Sequence, residues 1–235
     1  MIATALRVAN QLRRDPGTLA LLLVVPAVLM TLFRYLFSEF LFTLVGPSML
    51  GVFPFIVMFA VTAVTMLRER TAGTLERLLA MPMRKVDLLL GYALTFGVIA
   101  TVQSGVLIAW SVFLGLDAPS GLLVLVAVLD GVLGMALGLF VSVFARTEFQ
   151  VGQMMPAFVL PQLLLSGVFG PREEMADVLR WISDALPMTY AVDASSRLVR
   201  DEGLSGEVVR DLVVLGGATL LALVLGAATL RRQTR

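Results

Sequence analysis

"RERTAGTLERLLAMPMRK", residues 68–85, lies between two long apolar runs and carries more charged residues than the whole of 86–130. Gly73 interrupts any helix entering the segment, since glycine is costly inside a helix. Thr74 is placed to cap a new one, its hydroxyl accepting from an unpaired first-turn amide. Leu75, Leu78 and Leu79 fall at i, i+3 and i+4, on one face, with Glu76 and Arg77 on another. Pro82 stops this helix, and Arg84 and Lys85 precede the next apolar run. The spacing therefore predicts a helix of about two turns. Isolated helices shorter than about 12–15 residues are marginal. This one needs a surface, which lipid headgroups, its own bundle or a groove on a partner protein would supply.

Composition says what surrounds it. Of 235 residues, 58% are hydrophobic and 15% charged. Soluble domains run near about 45–50% apolar and about 25% charged, so this chain departs toward the membrane. It has no cysteine and no histidine, which excludes Cys/His zinc sites, disulfides and histidine-based catalysis within these residues. A net charge of +1 gives no reason to expect nucleic acid as a partner.

A membrane helix needs about 20 mostly apolar residues. Six runs qualify by eye: residues 18–37, 46–67, 88–115, 121–144, 150–170 and 208–230. Backbone groups in lipid must bond internally, so these runs are expected to be helices. The fold class is all-α, a polytopic membrane protein of six spans in one domain, 1–235. Residues 1–17 read as an amphipathic interfacial helix, with Ile2, Leu6, Val8, Ala9 and Leu12 set against Arg7, Asn10, Gln11 and Arg13. Six spans put both termini on one side. Placing that side in the cytoplasm collects 12 of the 18 basic residues there, as the positive-inside rule requires. The expected location is the inner or plasma membrane.

Residues 171–207 form the one long outer connection. In "PREEMADVLRWISDALP" the residues Met175, Val178, Leu179, Ile182 and Leu186 share a helical face, and "MTYAVDASSRLVRDEG" reads as a second helix ending near Gly203. Both are too short and too charged to span, and are expected to lie at the outer membrane face or to dip partly into it and cap the bundle.

The segment 68–85 with its continuation "VDLLLGYAL" resembles the first cytoplasmic loop of type-2 ABC transporter permeases. Glu69, Gly73, Thr74, Leu75, Glu76, Leu78, Leu79, Pro82, Arg84 and Gly91 carry the likeness. The region after the fifth run is similar as well, through Ser166, Gly167, Pro171, Trp181, Leu186, Pro187, Thr189, Tyr190, Ala191, Asp193 and Ala194. The nearest flavour is the drug- and antibiotic-resistance branch, including daunorubicin exporters. The resemblance implies a permease subunit that pairs with a second permease, a homodimer or a sister chain. It implies that segment 68–87 docks as a coupling helix on an ABC ATP-binding subunit, present in two copies. It also implies a hydrophobic or amphipathic substrate and membrane lipid as contacts, and an outer cap that includes Trp181, Pro187, Tyr190 and Asp193. The P-loop spacing, Gly and four residues on Gly-Lys followed by Ser or Thr, is missing from these residues. ATP and Mg are therefore expected on the partner, and no cofactor, metal or catalytic residue on this chain.

Within the spans, Asp130 is a carboxyl deep in an apolar run, where a charge costs about 2.5–3.5 kcal/mol on insertion scales. It couples protons, as in an ATP-independent carrier, or binds a cationic substrate, or is a paired or protonated structural group near Gly131 and Gly134. Gln153, Met154, Pro156, Phe158, Pro161 and Gln162 of the fifth run are candidates for a translocation path or gate. Gly131, Gly134 and Gly138 sit at close-packing spacing, suited to helix contact.

Overall fold

The computed structural model describes residues 6–7, 9–10, 13–73, 85–117, 121–200 and 203–229. Eight α-helices account for most of them: α1 (Pro16–Leu36), α2 (Glu39–Thr71), α3 (Lys85–Phe113), α4 (Gly121–Ser142), α5 (Glu148–Leu165), α6 (Asp177–Ala185), α7 (Pro187–Val199) and α8 (Gly206–Thr229). No strand occurs among the described residues. The all-α fold expected from the apolar runs is what is observed.

Local chemistry sets the boundaries. Asp15 caps α1, its carboxylate accepting from the Thr18 amide at 3.1 Å and the Thr18 hydroxyl at 2.7 Å, with Pro16 opening the helix. Those bonds favour the ionised form and hold the Asp15 carboxyl below its ordinary range. Ser38 caps α2 by accepting from Leu41 N, so α2 begins at Glu39 rather than near 46. The stretch "EFLFTLV" simply extends the span. Thr147 caps α5, accepting from Gln150 N at 3.2 Å. The α2 helix ends at Thr71, and Gly73 follows at φ +69°, a left-handed position that glycine adopts without strain. The helix break read at Gly73 is therefore present.

Among the described residues, five helical segments are long and apolar enough to cross a membrane: Pro16–Leu36, Glu39–Thr71, Leu90–Phe113, Gly121–Ser142 and Gly206–Gly226. The fifth run forms α5, but as 18 residues ending at Leu165 rather than 170. Its Gln150, Gln153 and Gln162 dilute its apolarity below the other five. It nonetheless runs the length of the bundle. Glu148 at its start meets Arg68, Phe158 packs on Phe59, and Leu165 O accepts from Ser183 at the far end.

The helices alternate in direction. One end of the bundle gathers Arg7, Glu69, Tyr92, Ser142 and Glu148 through direct contacts, and Gly226 of α8 abuts Phe140 of α4 near the same end. With Arg7, Arg13, Arg14, Arg68, Arg70 and Arg146, this is the basic end. The opposite end carries Arg34, whose Nε donates to Leu114 O at 3.1 Å, and the helices α6 and α7.

The core is the α2–α4 pair. Buried residues make up 72% of the apolar window of α2 and 61% of that of α4, against 17% for α1, so α1 faces outward. Glycines allow the two axes to approach. A Cβ on Gly138 would lie 2.5 Å from Phe59 O, and one on Gly134 would overlap the Phe55 carbonyl. The close-packing role read for this spacing holds. Several hydroxyls inside the spans bond back to the preceding turn, as Thr31 to Ala27 O, Thr95 to Gly91 O and Ser111 to Leu107 O, whereas the buried Thr62 hydroxyl has no partner among the described residues.

Candidate functional site

The last turn of α2 is lashed to four other elements at the basic end. Glu69 is 3% exposed although charged. Arg7 Nη2 donates to its two oxygens at 3.2 and 3.3 Å, and Tyr92 of α3 donates its hydroxyl to the same carboxylate. The Arg7 guanidinium also donates to the Tyr92 oxygen at 2.8 Å. One residue earlier, Arg68 holds Glu148 of α5. One residue later, Arg70 donates to the Ser142 carbonyl at the end of α4. The N-terminal segment, α3, α4 and α5 thus all converge on three consecutive residues of α2. A helix end held this way moves with its neighbours rather than fraying.

Three residues beyond, at 74–84, the chain passes outside the described residues. Thr74, Leu75, Glu76, Leu78, Leu79, Pro82 and Arg84, expected to form the docking helix, lie there. Glu69 and Gly73 are described: Glu69 is the buried anchor and Gly73 the break. Of residues 1–17, the described 6–7, 9–10 and 13 are helical, with Leu6 60% exposed and Arg7 turned inward to Glu69.

The path candidates on α5 divide between two faces. Gln153, Pro156 and Pro161 are exposed, together with Gly152, Ala157, Leu160 and Leu164. Met154 and Phe158 are half-buried, Phe158 against Phe59 of α2, and Gln162 is 4% exposed. The outward face mixes the small or polar Gly152, Gln153 and Ala157 and the two prolines with the large apolar Phe149, Leu160 and Leu164. The outward faces of α1 and α8 differ, carrying Leu21, Val24, Val28, Leu32, Val213, Leu220, Leu221 and Val224. At the basic end this α5 face opens into a cavity of about 430 Å³ lined by Phe144, Arg146, Gln150, Gln153, Met154 and Ala157.

Asp130 stands apart from that face. It is fully buried, seated against Gly51 of α2, and neither carboxyl oxygen has a partner among the described residues.

The opposite end is tied by Arg172. Its guanidinium donates to Asp193 at 2.7 Å and to Asp184, and its Nε to Ser183 at 3.0 Å. Tyr190 donates to Asp184 O at 2.7 Å, and Pro187 opens α7. Burial pushes the Asp193 carboxyl above its ordinary range, with Arg172 opposing. Raised in this way, Asp193 favours the folded cap most when protonated, and its contribution falls as pH rises through its folded-state value. The first cap helix is shorter than read. Arg172–Glu174 is a 3-10 turn, Met175 is extended, and α6 starts at Asp177. Its Val178, Leu179, Trp181 and Ile182 are exposed, Trp181 at 74%.

Sequence reasoning did not single out Arg7, Tyr92, Arg70, Glu148 or Arg172 as partners. Tyr92 left a usable signal, because a hydroxyl in an apolar run demands an acceptor. The others are ordinary surface charges until the fold brings their partners near.

Fold and end geometry together define a polytopic helical membrane protein with a short charged segment leaving a cross-braced helix end. The family model described as ABC-2 type transporter matches residues 2–198, and the chain belongs to that family. It is 29% identical over 167 residues to the probable multidrug ABC transporter permease YbhR of Escherichia coli (strain K12), covering 66% of this chain and 45% of that protein. It is 28% identical over 160 residues to the linearmycin resistance permease protein LnrN of Bacillus subtilis (strain 168), covering 66% and 40%. A similarity of 28% over 165 residues links it to ABC transporter G family member 20 of Dictyostelium discoideum, covering 68% and 22%. The matched region spans less than half the length of each of these relatives.

Proposed function

We propose that this chain is the membrane subunit of an ABC exporter. Two permease chains enclose a path for a hydrophobic or amphipathic compound, and two copies of a separate ATP-binding subunit, which hold ATP and Mg, supply the force. The basic end faces the cytoplasm of an inner or plasma membrane. The observation that carries this reading is the convergence of four elements on residues 68–70, immediately before the charged segment that resembles a coupling helix. A push on 74–84 is delivered to α2 and α3 directly, and through Arg68 and Arg70 to α5 and α4 as a rigid body. The relatives named as multidrug and linearmycin-resistance permeases support export and an apolar cargo.

The mixed polar and apolar face of α5 suits the path of an amphipathic compound, and the cavity at its basic end suits entry of such a molecule from the inner leaflet. Gln153→Trp fills this face at the mouth. With the partner ATPase present, it is expected to lower transport of an apolar fluorescent dye by about tenfold or more, equivalent to ~1.4 kcal/mol of barrier. Expression and ATPase association should stay unchanged. Leu32→Trp, on the outward side of α1, should be silent. Wild-type transport by Gln153→Trp would remove α5 from the path.

A further inference from the structure

Asp130 presents a chemical problem for the bundle. The side chain is 0% exposed, and no described donor reaches either oxygen. An ionised carboxylate there would have no counter-charge and no hydrogen bond, the costliest arrangement for a buried group. What it does touch is specific. A Cβ on Gly51 would lie 3.0 Å from Asp130 Oδ2, so the carboxyl rests on the bare backbone of α2. A Cβ on the next residue, Gly131, would lie 3.5 Å from Pro54 Cβ. Asp130 and Gly131 therefore bracket the stretch Gly51–Pro54.

That stretch is a break in the backbone ladder. Pro54 lies inside α2 and has no amide hydrogen, so the Leu50 carbonyl loses its i+4 donor. Leu50 adjoins Gly51, where the carboxyl sits. In lipid a carbonyl stripped of its partner costs free energy comparable to a lost hydrogen bond. A carboxylate beside it offers only acceptors, whereas a carboxylic acid offers a hydroxyl hydrogen.

We propose that Asp130 stands as a neutral acid whose hydroxyl is donated to the Leu50 carbonyl, replacing the amide that Pro54 lacks and stapling α4 to the proline break of α2. In this role the carboxyl retains its hydrogen and is a structural donor, not a carrier of protons through the membrane. Gly51 is the residue that lets it approach.

The test reads folding of the purified chain in detergent, and so stands or falls independently of any transport activity. Asp130→Asn keeps a donor of the same shape and is expected to melt with the wild type. Asp130→Leu fills the same space without a donor and is expected to melt lower, by about 4 °C or more. Pro54→Ala returns an amide to Leu50, so Pro54→Ala/Asp130→Leu should melt above Asp130→Leu. That comparison holds even if the single variant is recovered only in traces. In infrared difference spectra at neutral pH, Asp130→Asn should remove one protonated-carboxyl band. The proposal is overturned if Asp130→Leu melts with the wild type, or if Asp130→Asn falls as far as Asp130→Leu. It is equally overturned if Pro54→Ala fails to restore Asp130→Leu, or if no protonated-carboxyl band is lost.

Discussion

Gly134→Ala is expected to cut the yield of folded protein sharply. The added methyl would overlap the Phe55 carbonyl and lie 2.9 Å from Phe55 Cα, both main-chain atoms in the middle of the central helix. A flexible side chain would swing aside; main chain does not. The α2 helix has nowhere to retreat along this seam, since Gly51 meets Asp130 on one side and Phe59 meets Gly138 on the other. Overpacking typically costs about 1–3 kcal/mol, backbone shifts included, and occasionally more; a methyl driven into main chain at these distances belongs at the upper end or above. Against a total of about 5–15 kcal/mol for an ordinary domain, that is a large share of the stability, and the yield of folded chain falls with it. The measurement is the yield of monodisperse protein after detergent extraction. Gly97→Ala is the matched control, because a Cβ there meets nothing within 4 Å. It should be neutral or add about 0.5–1 kcal/mol from reduced backbone freedom. A normal yield of Gly134→Ala would mean that the α2–α4 seam is wrongly placed.

Leu79→Asp is expected to separate folding from coupling. From their spacing at i, i+3 and i+4, Leu75, Leu78 and Leu79 are expected to share the apolar face of a two-turn helix, and a helix that short needs a surface. If that surface is a groove on an ATP-binding subunit, a carboxylate at its centre removes an apolar anchor and buries an unpaired charge. Anchors of this kind carry about 2–4 kcal/mol at interfaces, so association should weaken by about 30- to 1000-fold. The bundle itself should fold as before, since its cross-braces at Glu69, Arg68 and Arg70 precede the segment. Co-purification of the ATPase, scored beside the melting temperature of the chain alone, checks both halves. Undiminished co-purification would assign residues 74–84 to the lipid surface or to the bundle.

Much of this architecture was legible in the sequence because the membrane imposes a strong, local rule. Twenty apolar residues in a row have few alternatives to a helix, and Gly131, Gly134 and Gly138 mark the seam by spacing alone. The less legible parts depend on balance or distance. The start of α2 at Glu39 turned on whether Ser38 would cap, a choice of one turn that hydropathy does not register. The early end of α5 at Leu165 arises where Ser166 and Gly167, the latter at φ +90°, turn the chain toward Arg172. Arg7 and Glu69 are 62 positions apart, and Arg68 and Glu148 are 80 apart. Their signs show that each could pair, and only the helix packing decides with what. Asp130 was conspicuous as an apolar-run carboxyl, but its relation to Pro54 needed the α2–α4 contact to be seen.

The central claim is that force reaches this bundle from a separate nucleotide-hydrolysing subunit through the segment after Gly73. Its most direct test is transport in proteoliposomes holding the purified chain, with and without an ABC ATP-binding subunit that co-purifies with it. The account predicts movement of an apolar dye only when both proteins and ATP-Mg are present, abolished by vanadate. Dye movement by this chain alone, driven by a proton gradient and indifferent to ATP, would contradict it.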